Sequence, residues 1–437
     1  REGRLLYHYG VSDSVEFGTR ISLQIDGRAT WKRQELHSPR VPIVRTCREA
    51  EGLKIVEQAF AVVARPFSPA EAGSAQPVPP REDIVIARVT NTGPTPHVIH
   101  PALLIDSPFR KRLEGESIFV RGDAPVRCST AIAGGLDDGK VPLETATINP
   151  GESFTLCLSH DGGGPITVKR ALEERERAIA FWENGAGLPY GRVRVPDPGI
   201  QALVDSSIRN IWQAREIKGG QPAFQVGPTC YRGLWIIDGA FLLETATILG
   251  AGDQARSGVA YELTFQQQDG GIKVMDIPYP KENGIVLWTC LRHAMLTRDK
   301  AWLESIWPRL ERIAAHIARL RKDTLNNAHP LDDGLLPGGF CDGGLGTFEE
   351  GEYSNVYWNL AGIHAFADAA RWLGKQAQAA GWQAEFDDFM AAFRKAAARD
   401  MRSDPHGNRY LPIPMGGEGA RQLPQRAQWP FCHAVYP

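Results

Sequence analysis

The first 160 residues alternate. Leu5, Tyr7 and Tyr9 fall on one side of an extended chain, and Phe17, Thr19, Ile21, Leu23 and Ile25 repeat the same period of two. Ile84, Ile86 and Val89 lead into the turn cluster Asn91-Thr92-Gly93-Pro94. Val98 to Ile105 is then apolar again, and Phe154, Leu156 and Leu158 alternate once more. Two-residue periodicity, broken at short spacing by Gly, Pro and Asn, predicts an antiparallel β-sandwich over 1–165. Pro66 to Pro80 holds five prolines and reads as a loop.

The period changes near residue 166. Val168 to Trp182 is charged and helical, and 166–195 reads as a linker helix with the segment that follows it. Asp197 before Pro198 predicts an N-cap and a first helical position. Ile200, Leu203, Val204, Ile208 and Ile211 then share one stripe, and 196–437 reads as a helical domain. Further helices are predicted over 232–250, 253–267, 284–297, 299–323, 353–373 and 378–401. They are of two kinds. Leu234 to Leu249 is apolar almost all round, whereas 299–323 is one-sided, with Arg309, Arg312, Arg319 and Arg321 on its polar parts. A bundle with an inner and an outer ring needs both. Long connections at 214–231, 268–283 and 324–352 alternate with short ones, so one rim carries the extended loops, where function concentrates.

Composition narrows the chemistry. The 437 residues are 43% hydrophobic and 23% charged, enough for a sizeable core. Lys+Arg is 49 against 51 Asp+Glu, a balance that argues against a nucleic-acid partner. No uncharged apolar run reaches about 18 residues, so no membrane span is expected. The seven cysteines form no C-x-x-C and read as buried reduced thiols. The eleven histidines do not cluster, so no metal site is expected. No phosphate loop, dinucleotide fingerprint or Gly-x-Ser-x-Gly elbow is present, and no cofactor is expected. The chain starts at Arg1 with no signal-like segment, which leaves cytoplasmic and periplasmic locations open, as it does the oligomeric state.

Three loops place carboxylates beside aromatics and glycines. In Tyr231-Arg232-Gly233-Leu234-Trp235-Ile236-Ile237-Asp238-Gly239, Asp238 heads an apolar helix. It reads either as a partner of the helix dipole or as a carboxylate for sugar hydroxyls beside a stacking Trp235. Gln268-Asp269-Gly270-Gly271, running to Tyr279, Lys281, Glu282 and Asn283, is a Gly-rich loop without an assigned role. The third runs from Asp332-Asp333-Gly334 through Asp342-Gly343-Gly344 to Phe348-Glu349-Glu350-Gly351-Glu352-Tyr353. So many glycines let the backbone approach a ligand closely. Glycoside cleavage needs two carboxyl groups across the scissile bond, one of them protonated, and this loop has a surplus of acids. Trp235, Trp288 and Trp358 are the candidate stacking platforms.

The order of parts resembles the six-hairpin glycosidases, the glucoamylase-like superfamily. The residues that carry the resemblance are Phe181-Trp182, Val195-Pro196-Asp197-Pro198, Trp235 to Asp238, Gly334-Leu335-Leu336-Pro337 and Tyr353-Ser354-Asn355-Val356-Tyr357-Trp358-Asn359-Leu360-Ala361-Gly362. It implies an N-terminal β-sandwich, a linker helix and an (α/α)6 barrel of twelve helices. It implies an inverting glycoside hydrolase acting on an oligo- or polysaccharide or a glycoconjugate. By position, Asp238 would bind sugar at the cleavage subsite, with Arg232 and Trp235 nearby. Two alignments compete for the general acid. One selects Asp342 after Gly-Leu-Leu-Pro; the other matches Phe348-Glu349-Glu350 and selects Glu349 or Glu350. Glu352, Tyr353, Trp288 and Trp358 would be further substrate contacts. Seven helices stand where twelve are implied, so the expectation is an incomplete barrel with an open side and a general base beyond residue 437. A glycoside phosphorylase on the same fold and a non-catalytic carbohydrate-binding protein are the alternatives.

Overall fold

The computed structural model describes residues 3–10, 16–25, 29–63, 81–121, 125–185, 187–218, 221–227, 229, 232–326, 331, 333–340, 351–416 and 432–436. Two units divide the chain, Arg1–Trp212 and Gln213–Pro437. In the first, alternation becomes antiparallel sheet. Its strands are β1 (Leu5–Tyr9), β2 (Phe17–Gln24), β3 (Thr30–Leu36), β4 (Val44–Ala50), β5 (Leu53–Val63), β6 (Arg81–Asn91) and β7 (His97–Ile99). There follow β8 (Ala102–Asp106), β9 (Lys111–Glu114), β10 (Ser117–Val120), β11 (Val126–Cys128), β12 (Lys140–Pro142), β13 (Ala146–Ile148) and β14 (Ser153–His160). One sheet has the order β1-β2-β8-β12 and the other β3-β4-β5-β6-β14-β11-β10-β9.

Both sheets feed one core. Ile21 and Leu23 of β2 and Leu103 and Ile105 of β8 cluster with Leu53, Ile55, Val85, Ala87, Val89, Leu156 and Leu158 of the larger sheet. The alternate residues of β6 and β14, Ile84, Ile86 and Cys157, point the other way. They pack with Ala171 and Ala178 of helix α1 (Val168–Ala180). A strand covered on both faces loses its polar alternation, which is why Ile84-Val85-Ile86-Ala87 is an unbroken apolar run. Thr167 caps α1 by accepting from the Arg170 amide at 3.2 Å. Helix α2 (Pro198–Gln213) starts where Asp197 predicts, its Oδ1 accepting from the Ile200 amide at 2.9 Å. It is tied to the first unit by Arg40, whose Nε lies 2.7 Å from Asp205 Oδ2.

Of the carboxyl groups buried in this unit, Glu57 is held at a cost. Burial pushes Glu57 of β5 up from 4.5 to about 7, against the pull of Arg48, whose Nη2 donates to Oε1 at 2.6 Å. A folded-state value raised in this way means the group's contribution is fully present below pH 4.5 and is lost as pH rises through about 7. At about 1.4 kcal/mol per pH unit the loss is at most roughly 3 kcal/mol. Glu57→Gln keeps an acceptor for Arg48 and is expected to flatten the stability slope across that window. Urea denaturation at several pH values checks this; a slope that is the same in both proteins would reject the assignment.

The second unit is helical: α3 (Ile236–Ile248), α4 (Gly252–Leu263), α5 (Lys281–Thr297), α6 (Lys300–Asp323), α7 (Tyr353–Trp372) and α8 (Gln376–Asp400). Each predicted helix is present. The two kinds alternate. α3, α5 and α7 are buried nearly all round, while α4, α6 and α8 bury one stripe each. α5 packs between α3 and α7, and α4, α6 and α8 each back onto the helix before them. The described residues thus hold three αα-hairpins side by side. One correction concerns α5, which starts three residues before the predicted 284. Lys281-Glu282-Asn283 is polar and reads as loop, yet all three side chains are buried.

Candidate active site

The inner helices α3, α5 and α7 run parallel. At one end, Lys281 in the first turn of α5 meets Glu352 and Ser354 at the start of α7. At the other, Thr247 near the end of α3 lies 3.1 Å from His293 near the end of α5. The connections at that second end are the short ones, 249–251, 298–299 and 373–375. The long connections, 214–235, 264–280 and 324–352, all enter inner helices at their N-terminal ends. That rim therefore collects the extended loops together with three helix N-termini, whose free amides and dipoles favour acidic groups. Asp238 and Glu282 both occupy first turns.

Beneath the rim lies a buried polar layer. Lys281 Nζ donates to Glu352 Oε1 at 2.6 Å and to Ser354 Oγ, over the Tyr279 ring at 5.1 Å. The Lys281 and Glu352 side chains are 0% and 1% exposed. Asn355 Oδ1 accepts from the Lys281 amide at 3.2 Å, and Asn359 Nδ2 donates to the Pro280 carbonyl at 3.0 Å. Asn283 spans two segments, accepting from the Ile272 amide at 2.7 Å and donating to the Pro280 carbonyl at 2.8 Å. Tyr353 donates to Asp400 Oδ2 at 2.7 Å; burial and that carboxylate push its phenol well above the ordinary range. These bonds join segments distant in sequence and give α5 and α7 a common floor.

Above this layer, a hollow of about 290 Å³ opens between the 267–280 loop, the start of α5 and the outer helix α6. Its wall includes Asp269, Lys273, Tyr279, Glu282, Asn283 and His316. Glu282 Oε2 accepts from the Val274 amide at 3.3 Å. Behind Glu282 stands Glu262 of α4, fully buried. Neither of its carboxyl oxygens has a hydrogen-bond partner among the described residues. Burial, and then the neighbouring Glu282 charge, hold Glu262 well above the usual carboxylate range. Gly239 of α3 makes room for it, since a methyl group there would come within 2.8 Å of Glu262 Oε1.

The residues singled out in the sequence fall into three groups. Asp342, Glu349 and Glu350 lie outside the described residues. Trp235 is the N-cap residue of α3, Asp238 sits in its first turn, and Arg232 is exposed and paired with Glu216. Glu352, Tyr353, Trp288 and Trp358 are buried. The Trp288 and Trp358 rings meet edge to face at 5.9 Å, with Phe241 of α3 5.8 Å from Trp358. Sequence reasoning missed Lys281, whose polarity disguised its burial. It also missed Glu262, which did leave a signal. Ala255, Gly258, Val259 and Glu262 follow i, i+3, i+4, i+7 spacing, so the acid sits on the buried stripe of its helix.

Comparison with known proteins adds the following. No family profile matches the chain, and no curated protein matches it. Among solved structures it is similar to a bacterial glucoamylase complexed with acarbose, at 13% identity and a TM-score of 0.49, over 91% of this chain and 64% of that one. It is also similar to a GH78 family rhamnosidase of Bacillus sp. GL1, at 12% identity and a TM-score of 0.42, over 79% of this chain and 37% of that one. A rhamnosidase from Klebsiella oxytoca with rhamnose bound gives 12% identity and a TM-score of 0.40, over 95% of this chain and 79% of that one. These neighbours are glycoside hydrolases. The chain spans less than two-thirds of the length of the first two.

Proposed function

We propose that the protein is a glycoside hydrolase whose site lies at the rim where the long loops enter α3, α5 and α7. The observation that carries this reading is the convergence of three inner-helix N-termini, with Asp238, Glu282 and Glu262 among them, at the end that receives the extended loops. In this reading 1–165 is the β-sandwich, 166–195 the linker, and 196–437 part of an (α/α)6 barrel to which the three hairpins belong. Asp238 binds sugar hydroxyls, with Trp235 and Arg232 beside it. Glu352 and Tyr353 hold the floor from within, and Trp288 and Trp358 stiffen the inner wall. The candidate acids Asp342, Glu349 and Glu350 lie between Phe340 and Gly351. Phe340 is anchored by its amide on the Pro278 carbonyl at 2.7 Å, and Gly351 accepts from the Met415 amide at 2.9 Å. One of these acids protonates the leaving oxygen while a second carboxylate activates water. Inversion requires the two carboxyl groups to stand roughly 6.5–9.5 Å apart.

The test is a screen of the full-length protein on a panel of glycosides, with and without phosphate, alongside Asp342→Asn, Glu349→Gln and Glu350→Gln. Loss of a general acid is expected to lower turnover about 10²–10⁴-fold in one of the three. Proton NMR of the first-formed anomer reads the stereochemistry. Turnover that is equal in all three variants removes the acid assignment, and product formed only with phosphate replaces the hydrolase by a phosphorylase.

A further inference from the structure

We propose that Glu262 is a positioning residue: held as a neutral acid behind the rim, it confines the negative charge of a buried carboxyl pair to Glu282 in the wall of the hollow. Its use for a hydroxyl-bearing ligand rests on the sugar reading above; the arrangement of the proton does not.

The two carboxyl groups have unequal surroundings. Glu282 lies in the first turn of α5, where the helix dipole favours an anion, and it accepts the Val274 amide. It lines a hollow that also presents Lys273. Glu262 has none of this. It is fully buried, and both oxygens lack partners among the described residues. An ionised carboxylate left unpaired in such a place costs several kcal/mol. Two adjoining carboxylates in a shielded site do not both ionise, so the proton goes to the one with the poorer surroundings. That group is Glu262.

The groups around the pair agree with this assignment. From α5, Glu282 and Cys290 neighbour Glu262, and burial holds the Cys290 thiol above its ordinary range. From α6, Arg309 spends its Nε on Gln266 Oε1 at 3.3 Å and an Nη2 on the Leu263 carbonyl rather than on Glu262. From α3, Gly239 brings only backbone. On the hollow side, Asp269, Asp276, Lys273 and His316 face Glu282. Lys273 is paired with Asp276 at 3.1 Å, and burial lowers His316, whose Nδ1 lies 3.4 Å from Asp269 Oδ2. The hollow thus receives a buried carboxylate at Glu282 beside the exposed Asp269 and Asp276, and Glu282 is suited to accept hydrogen bonds from hydroxyl groups.

Infrared difference spectroscopy across a pH titration tests the arrangement without any substrate. In a Glu57→Gln background, which removes the other raised carboxyl group, the carbonyl stretch of a protonated carboxylic acid is expected to persist through neutral pH and to vanish when Glu262→Gln is added. In Glu282→Gln, which leaves Glu262 in place, the same band is expected to titrate about one pH unit or more lower, because the like charge is gone. This second variant carries the test alone should Glu262→Gln fail to fold. Absence of the band at neutral pH, or a midpoint unmoved in Glu282→Gln, overturns the proposal. Failure to find any cleaved glycoside would overturn the hydrolase reading and leave the infrared result standing.

Discussion

Gly284→Ala is expected to cost about 3 kcal/mol or more of stability, or to prevent folding of the helical unit. The reason is a contact between backbones. A methyl group on Gly284 of α5 would lie 2.1 Å from the Trp358 carbonyl oxygen and 2.6 Å from Asn359 Cα of α7. From the other side, a methyl on Gly362 would lie 2.5 Å from Gly284 Cα. No side-chain rotamer relieves such a clash, so the helices must move apart. That movement would pull apart the Trp288 and Trp358 rings, which meet across α5 and α7. The control is Gly381→Ala, in the second turn of α8 with nothing within 4 Å of the added carbon. There the substitution is expected to stabilise by about 0.5–1 kcal/mol, through helix propensity alone. Thermal unfolding of both variants decides the matter. If both raise the melting temperature, α5 and α7 do not cross at backbone contact.

Lys281→Met is expected to destabilise by about 3–5 kcal/mol, because it takes the buried cation away from the buried Glu352 carboxylate. Lys281 and Glu352 are both sealed from solvent, and Ser354 and Asn355 complete the network. Breaking such a pair from one side is far costlier than removing both charges together. The double variant Lys281→Met/Glu352→Gln is therefore expected to regain more than half of the loss, since glutamine still offers Ser354 an acceptor. Chemical denaturation of the two singles and the double gives the coupling energy directly. A single-variant cost below about 1 kcal/mol would mean that the pair is wet and screened, as surface pairs are.

Together the two predictions distinguish what local patterning can reveal from what it cannot. The alternation of Phe17 to Ile25 and the stripe of Ile200 to Ile211 each report on neighbours a few residues away. The strands and helices built from them stand where the sequence places them. The contrast between an all-round apolar helix at 236–248 and a one-sided helix at 300–323 was equally legible, because burial on several sides removes polar residues from every face. The rim loops were legible as loops, through their glycines and length. The start of α5 was not, since a polar triplet in a first helical turn has the composition of a loop.

The sequence by itself determined a sheet region followed by paired helices of two kinds, and it located the long connections, because those features follow from spacing over one or two turns. Only the tertiary structure decided that Lys281 is interior, that Gly284 lies against α7, and that Glu262 stands behind Glu282 without a hydrogen-bond partner among the described residues. Each of those depends on a partner brought in from another helix; Lys281 and Glu352 are 71 positions apart. Whether a charge is buried, and whether a glycine is needed for contact rather than for a turn, is a property of the surface it meets. No periodicity within its own segment encodes that surface.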